Sequence, residues 1–352
     1  IDRITFRNGL GLGVYDAMVF DEDILWHGED VEVGGVHRCL TLPIEYVRQF
    51  LPEYSEQILA NHLPLSCIWP QRIINAPLNE AGIVGHAIGL ALQGLRVGVE
   101  IQFSGFVWET AHQIVEAVRI YLEHAGKVNT SIVIFLPYGA GRYIRYHREC
   151  EKSLASLIGL VAVDPTTPQK AYDMLRAAFA SNKVTLFYMH KGLFNLQGPL
   201  VRRHPFQPIE RFGIEIMREG TDITVAASGK MVHTALAAAD TAEKEGGISA
   251  EILDVGVLAP FDPQLLIASV RKTGHFLAVQ EEPLRYGTGA EWVATISEKA
   301  GFHLVTPPRR IASPNCDHPM PDFSEFYVPS KEKIIQALRD TIKGTEDPDE
   351  EL

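Results

Sequence analysis

Beyond residue 70, short apolar runs alternate with amphipathic stretches, the pattern of a parallel sheet covered by helices. "LRVGVEIQF" (95–103) and "TSIVIFLP" (130–137) read as buried strands. Between them "TAHQIVEAVRIYL" (110–122) sets Ile114, Ala117, Val118, Tyr121 and Leu122 on one helical face. "GLVAVDP" and "KVTLFYMHK" extend the series. Thr167 before Pro168 marks a helix start, because proline at the first helical position lacks only an N–H that would go unpaired. Residues 195–212 hold three prolines and show no periodicity, so a boundary is expected there. A second series follows, from "DITVAAS" through "MVHTALAAADTAEKEG", "SAEILDV", "DPQLLIASVRKTG", "HFLAVQEE" and "GAEWVATISEKAG" to "HLVTPPRRI". The expected organisation is a domain over 1–198, a linker over 199–212, a smaller domain over 213–344 and an acidic disordered tail over 345–352. The fold class is α/β, with two parallel-sheet, Rossmann-like domains. Residues 1–70 are less regular: "GLGVYDAMVFDEDI" is compatible with a helix, "EYSEQILANHL" (53–63) predicts one, and "HGEDVEVGGVHRC" (27–39) reads as loop.

Composition narrows the function classes. A chain of 352 residues, 46% hydrophobic, can bury more than one core. A net charge of -12 argues against nucleic acid and anionic membrane as partners, which need clustered Lys and Arg. The four cysteines, at 39, 67, 150 and 316, form no C-x-x-C pair, so neither a zinc site nor a disulfide framework is indicated and a reducing compartment is expected. No apolar run approaches the roughly 20 residues of a membrane span. The first residues resemble neither a signal nor a transit peptide, and a start at Ile1 is compatible with removal of an upstream portion.

Three motifs invite chemistry. "GLGLG" (9–13) fails as a dinucleotide fingerprint, since Val14 stands where the third glycine belongs and no buried strand precedes it. His147 and Cys150 form an H-x-x-C pair that specifies no family, and the 13 histidines show no ligand spacing, so no metal site built from this chain alone is expected. "INAPLNEAGIVGHAIGLALQG" is more demanding. Glu80 opens an apolar helix with glycines at 82, 85 and 89 on one face, each costing about 1 kcal/mol relative to alanine. The helix dipole accounts for Glu80, but the glycines call for a close-packed helix or a ligand.

"HGEDVEVGGVHRC", "RIINAPLNEAGIVGHAIGLALQGLRVGVEIQF", "MHKGLF", "EGTDITVAASG", "VRKTGHFLAVQEEPLRYGTGAE" and "FYVPSKEKI" together resemble the beta chain of thiamine-diphosphate-dependent 2-oxoacid dehydrogenases over nearly the whole length. "GGV-x-RC" and "EIQF" look closer to the branched-chain enzyme than to the pyruvate enzyme. The resemblance implies a transketolase-type pyrimidine-binding domain followed by a transketolase C-terminal domain. It also implies that Glu80 hydrogen-bonds the N1′ nitrogen of the aminopyrimidine, that Phe106 lies against that ring, and that the glycine face packs at a subunit interface. His147 would match the family histidine that assists acylation of a lipoyl group, although the arginines at 142, 145 and 148 replace the neutral positions usual around it. Residues 50–70 look longer than the family segment.

The G-D-G motif that holds magnesium and diphosphate in this family is absent. The diphosphate and Mg2+ would therefore be held by an alpha chain, in a heterotetramer or a fused alpha–beta polypeptide. A family K+ site would use backbone carbonyls near residues 158–166. The implied function is oxidative decarboxylation of a branched-chain 2-oxo acid, with pyruvate as the alternative, and acyl transfer to a lipoyl-bearing acyltransferase in a bacterial cytoplasm or mitochondrial matrix. Two other readings follow from the departures: a non-catalytic scaffold with a rewritten 138–152 loop, and a self-contained synthase, which the missing diphosphate motif disfavours.

Overall fold

The computed structural model describes residues 3–140, 151–202, 206–316, 319 and 324–345. His147, Cys150 and the tail from 346 onward lie outside them, as do 203–205 of the expected linker. The chain divides into two compact units that are not contiguous in sequence: 1–138 with 155–212 and 258–260, and 139–154 with 213–257 and 261–352.

The first unit opens with β1 (Arg3–Thr5) and α1 (Phe6–Phe20), and β1 pairs antiparallel with β10 (Gln197–Pro199). Then come β2 (Ile24–Gly28), β3 (Thr41–Pro43), α2 (Ile44–Phe50), β4 (His62–Pro64), β5 (Ile73–Asn75), α3 (Glu80–Leu92), β6 (Arg96–Glu100), α4 (Ala111–Glu123) and β7 (Ile132–Tyr138). β8 (Val161–Val163), α5 (Pro168–Ala180) and β9 (Val184–His190) complete the unit. The main sheet runs β8-β9-β7-β6-β2-β5, all parallel, with β14 (Val257–Ala259) at the β8 edge. All seven residues of β7 and of β9 are buried, as expected of strands covered on both faces.

Local chemistry explains the elements. The Thr167 side chain accepts the Lys170 N–H and caps α5, with Pro168 at its first position. "GLGLG" lies inside α1 and serves close packing: a Cβ on Gly9 would sit 2.7 Å from the Pro168 carbonyl, and one on Gly13 would sit 3.2 Å from Leu175 of α5. On α4, Ile114, Ala117 and Val118 are buried as the periodicity predicts, whereas Leu122 is exposed. The helix expected over 53–63 does not form. A 3-10 turn covers Pro52–Gln57, Ala60 and Asn61 take positive φ (47° and 70°), and the chain reverses into β4, which pairs antiparallel with β3. Two consecutive left-handed residues are incompatible with a continuing helix, and the pairing partner lies too far back in sequence for local periodicity to reveal it.

The second unit contains β11 (Glu215–Arg218), β12 (Ile223–Ala227), α6 (Lys230–Gly246), β13 (Ala250–Asp254), α7 (Gln264–Thr273), β15 (Phe276–Pro283), α8 (Thr288–Ala300) and β16 (Arg309–Ser313). A four-residue helix, α9 (Ser324–Tyr327), and α10 (Lys331–Lys343) close it. Its sheet order is β11-β13-β12-β15-β16, parallel except for β11. Ile223, Val225, Ile252, Leu277 and Val279 form its core with the alanine face of α6 and Ile334 and Leu338 of α10. Among the described residues, no helix is long and apolar enough to cross a membrane.

Candidate functional site

Three neighbouring strands of the first unit end together. Gly28 of β2 is in register with Asn75 of β5 on one side and Glu100 of β6 on the other. Glu29 follows β2 directly, and Glu80 opens α3 after β5. Carboxyl groups thus collect at the carboxyl edge of a parallel sheet, the edge where ligands of such folds bind.

Their surroundings differ. Glu100 is 1% exposed, neither of its oxygens meets a side-chain donor, and a Cβ on Gly35 (φ 76°) would collide with both. Burial pushes its pKa up to about 8; the backbone at Val36 offers only partial relief, and Asp30 and Glu29 add to the rise. Glu29 is 6% exposed with an unpartnered Oε1, and burial together with the charges of Glu80 and Asp30 raises it to about 7. Both carboxyls are therefore largely protonated near neutral pH. Glu80 itself is half-buried at the start of α3, where the Asn79 side chain accepts the Gly82 N–H at 2.8 Å.

Phe106 lies in a 3-10 segment, Ser104–Thr110, that packs against α3, so Glu80 and Phe106 stand on touching elements. Half-buried Phe106 meets Phe103 edge to face, with ring centroids 6.0 Å apart. His37 sits against Phe103, and its Nε2 donates to the Gln102 carbonyl at 2.9 Å. Burial lowers its pKa to about 4, so the ring is neutral at ordinary pH.

The glycine face of α3 is not packed within this chain. Gly82, Gly85 and Gly89 are exposed; a Cβ on Gly85 would touch only Gln113 at 3.9 Å, and one on Gly89 would touch nothing. His86, on the same exposed side, contacts His27 of β2, its Nδ1 lying 3.3 Å from His27 Nε2.

His147 lies outside the described residues, but the positions flanking its loop are anchored. The Ala140 N–H donates to Glu281 Oε1 at 2.5 Å, and Lys152, 5% exposed, pairs with Glu282 at 2.8 Å and donates to Ser228 Oγ. "EEPLRYGTGAE", whose glycines suggest only a turn and a helix start, therefore also supplies two anchoring carboxylates from β15. Glu29 and Glu100 are the site members that motif reasoning passed over. A glutamate ending an otherwise apolar strand, "VGVEI", was the available signal.

Residues 2–197 match the family model "Transketolase, pyrimidine binding domain", and residues 213–334 match "Transketolase, C-terminal domain". The chain is 34% identical to the pyruvate dehydrogenase E1 component subunit beta of Leifsonia xyli, over 96% of this chain and 94% of that one. It is 35% identical to the mitochondrial 2-oxoisovalerate dehydrogenase subunit beta 2 of Arabidopsis thaliana (96% and 89%). It is 30% identical to the 3-methyl-2-oxobutanoate dehydrogenase subunit beta of Mycobacterium tuberculosis (97% and 92%). The solved "Split gene transketolase, inactive beta4 tetramer" superposes with a TM-score of 0.71 at 18% identity, over 97% of this chain and 100% of that one, a likeness of fold.

Proposed function

We infer a function from one premise: the chain belongs to the beta subunits of thiamine-diphosphate-dependent 2-oxoacid dehydrogenases, the family of the pyruvate and branched-chain enzymes. It is a beta subunit of the decarboxylating component of a 2-oxoacid dehydrogenase complex, an oxidoreductase that uses thiamine diphosphate and works with an alpha partner.

The residues at the sheet edge fit the pyrimidine half of that cofactor. Glu80 stands at an open helix start, aromatic rings line the adjacent 3-10 segment, and buried carboxyl oxygens of Glu29 and Glu100 lack partners. When bound, thiamine diphosphate supplies the nucleophilic carbon and the electron sink for decarboxylation. Glu80 holds a proton in a hydrogen bond with the N1′ nitrogen of the pyrimidine, a bond strengthened by exclusion of water. Phe106 gives the ring an apolar face to lie against. Protonated Glu29 and Glu100 remove the charge repulsion that three adjacent carboxylates would impose. The observation that carries the reading is this placement of Glu80 beside two neutralised carboxyls at the carboxyl edge of the sheet.

The finer roles extend that proposal. The alpha partner holds the diphosphate and Mg2+, backbone carbonyls near 158–166 are the place for a K+ ion, and a lipoyl-bearing acyltransferase takes the acyl group with help from His147. The bacterial cytoplasm or mitochondrial matrix is the corresponding compartment. The substrate is a 2-oxo acid, with "GGV-x-RC" and "EIQF" favouring a branched-chain one over pyruvate. The test is cofactor-dependent decarboxylation of 3-methyl-2-oxobutanoate and of pyruvate by the chain co-purified with its alpha partner. Turnover of either supports the function and their ratio sets the specificity; binding of partner and cofactor without turnover of either would replace it with the scaffold reading.

A further inference from the structure

His27 and His86 have no place in the proposed chemistry, and they come from different elements. His27 is half-buried near the end of β2, and His86 is exposed on α3, 59 residues later. Their rings lie at 72° with centroids 4.8 Å apart, and His27 Nε2 is 3.3 Å from His86 Nδ1.

We propose that His27 and His86 form the protein side of a tetrahedral site for a divalent zinc-type metal ion. Two ligand nitrogens about 2.0–2.1 Å from a metal, at a tetrahedral angle, stand roughly 3.3–3.4 Å apart, whereas a right-angled square-planar pair stands roughly 2.9 Å apart. The observed separation matches the tetrahedral edge. His27 is oriented from behind by a hydrogen bond to the backbone of Ile74 on β5, the outer contact that fixes which nitrogen of a ligating imidazole faces its metal. His86 opens to solvent, which leaves room for the remaining ligands. No third His, Cys, Asp or Glu joins the pair among the described residues, so water fills those positions.

The proton balance is simple. In the neutral, metal-free pair one proton lies between the two nitrogens. On binding, the metal takes its place and that proton moves to the other nitrogen of His86, with no net release. The site ties the end of β2 to α3 next to the exposed glycines.

The test uses the full chain after chelator treatment, with Zn2+ titrated calorimetrically and Co2+ followed by its visible spectrum, in wild type, His86→Ala, His27→Leu and the control His62→Ala. His86→Ala changes an exposed helical position and is expected to fold as wild type does, so it keeps the test open if His27→Leu does not fold. The proposal predicts a saturable wild-type site with a tetrahedral Co2+ spectrum and a zinc-dependent rise in Tm, with affinity unchanged in His62→Ala and at least about tenfold weaker in His86→Ala. Equal Zn2+ affinity in wild type and His86→Ala, or no saturable binding by wild type, overturns it and leaves a histidine pair sharing one hydrogen bond.

Discussion

Glu100 in the first unit and Glu251 in the second are each 1% exposed, yet their environments are opposite. Glu251 accepts from Ser269 Oγ at 2.5 Å and from the Gly220 N–H at 3.3 Å, and it pairs with Lys272. Burial would raise its pKa, but Lys272, Ser269 and Gly220 together hold it below the usual carboxylate range. Glu100 has no such set, and burial leaves it protonated up to about pH 8. A buried carboxylate with a complete set of partners is a structural joint. One without them is tolerated where a reaction uses a proton, and Glu100 stands at the sheet edge that holds Glu80.

The largest expected effect concerns the pH dependence of stability. A folded pKa raised from 4.5 to about 8 means that the native chain holds a proton the unfolded chain has lost, so Glu100 contributes stability below about pH 4.5 that disappears as pH rises toward 8. At about 1.4 kcal/mol per pH unit, wild type should lose on the order of 4 kcal/mol between pH 5 and 8 that Glu100→Gln does not lose. Denaturant midpoints of both proteins across that range measure it, and parallel curves would erase the contrast with Glu251.

A smaller effect comes from converting the joint into the other kind of site. Lys272→Met leaves Glu251 buried without its cation. Because the Lys272 side chain is 44% exposed, solvent screening limits the expected loss to about 2 kcal/mol at pH 8. The sign reverses with the substitution: in wild type the lowered pKa of Glu251 contributes stability that is lost as pH falls, whereas in the variant burial raises it and stability is lost as pH rises. Urea unfolding at pH 5 and pH 8 should therefore show the larger deficit at pH 8. A deficit no larger at pH 8 than at pH 5 would mean that Ser269 and Gly220 suffice.

The contrast also shows what a sequence can carry. Thr167-Pro168 announced α5 because a cap and its helix are adjacent in the chain, and the apolar runs at 95–103 and 130–137 announced β6 and β7 because a buried parallel strand is apolar throughout. Glu100 was visible as a charge ending such a run. Whether it was compensated depends on Gly35 and Val36, 65 and 64 positions away, and the partner of Glu251 lies 21 positions on in α7. The reversal into β4 was hidden for the same reason, since β3 stabilises it from about 20 residues upstream. The glycines of α3 were legible as needing a neighbour, and this chain supplies none for Gly89.

The central claim is that Glu80 faces the cofactor pyrimidine and takes part in its proton chemistry. The most direct measurement compares wild type with Glu80→Gln, each assembled with its alpha partner, for 2-oxo acid decarboxylation rate and thiamine diphosphate affinity. The account predicts a rate lower by roughly 10²- to 10⁴-fold, with cofactor affinity changed far less, because glutamine keeps the shape and loses the proton. A Glu80→Gln enzyme that turns over within about tenfold of wild type would contradict it.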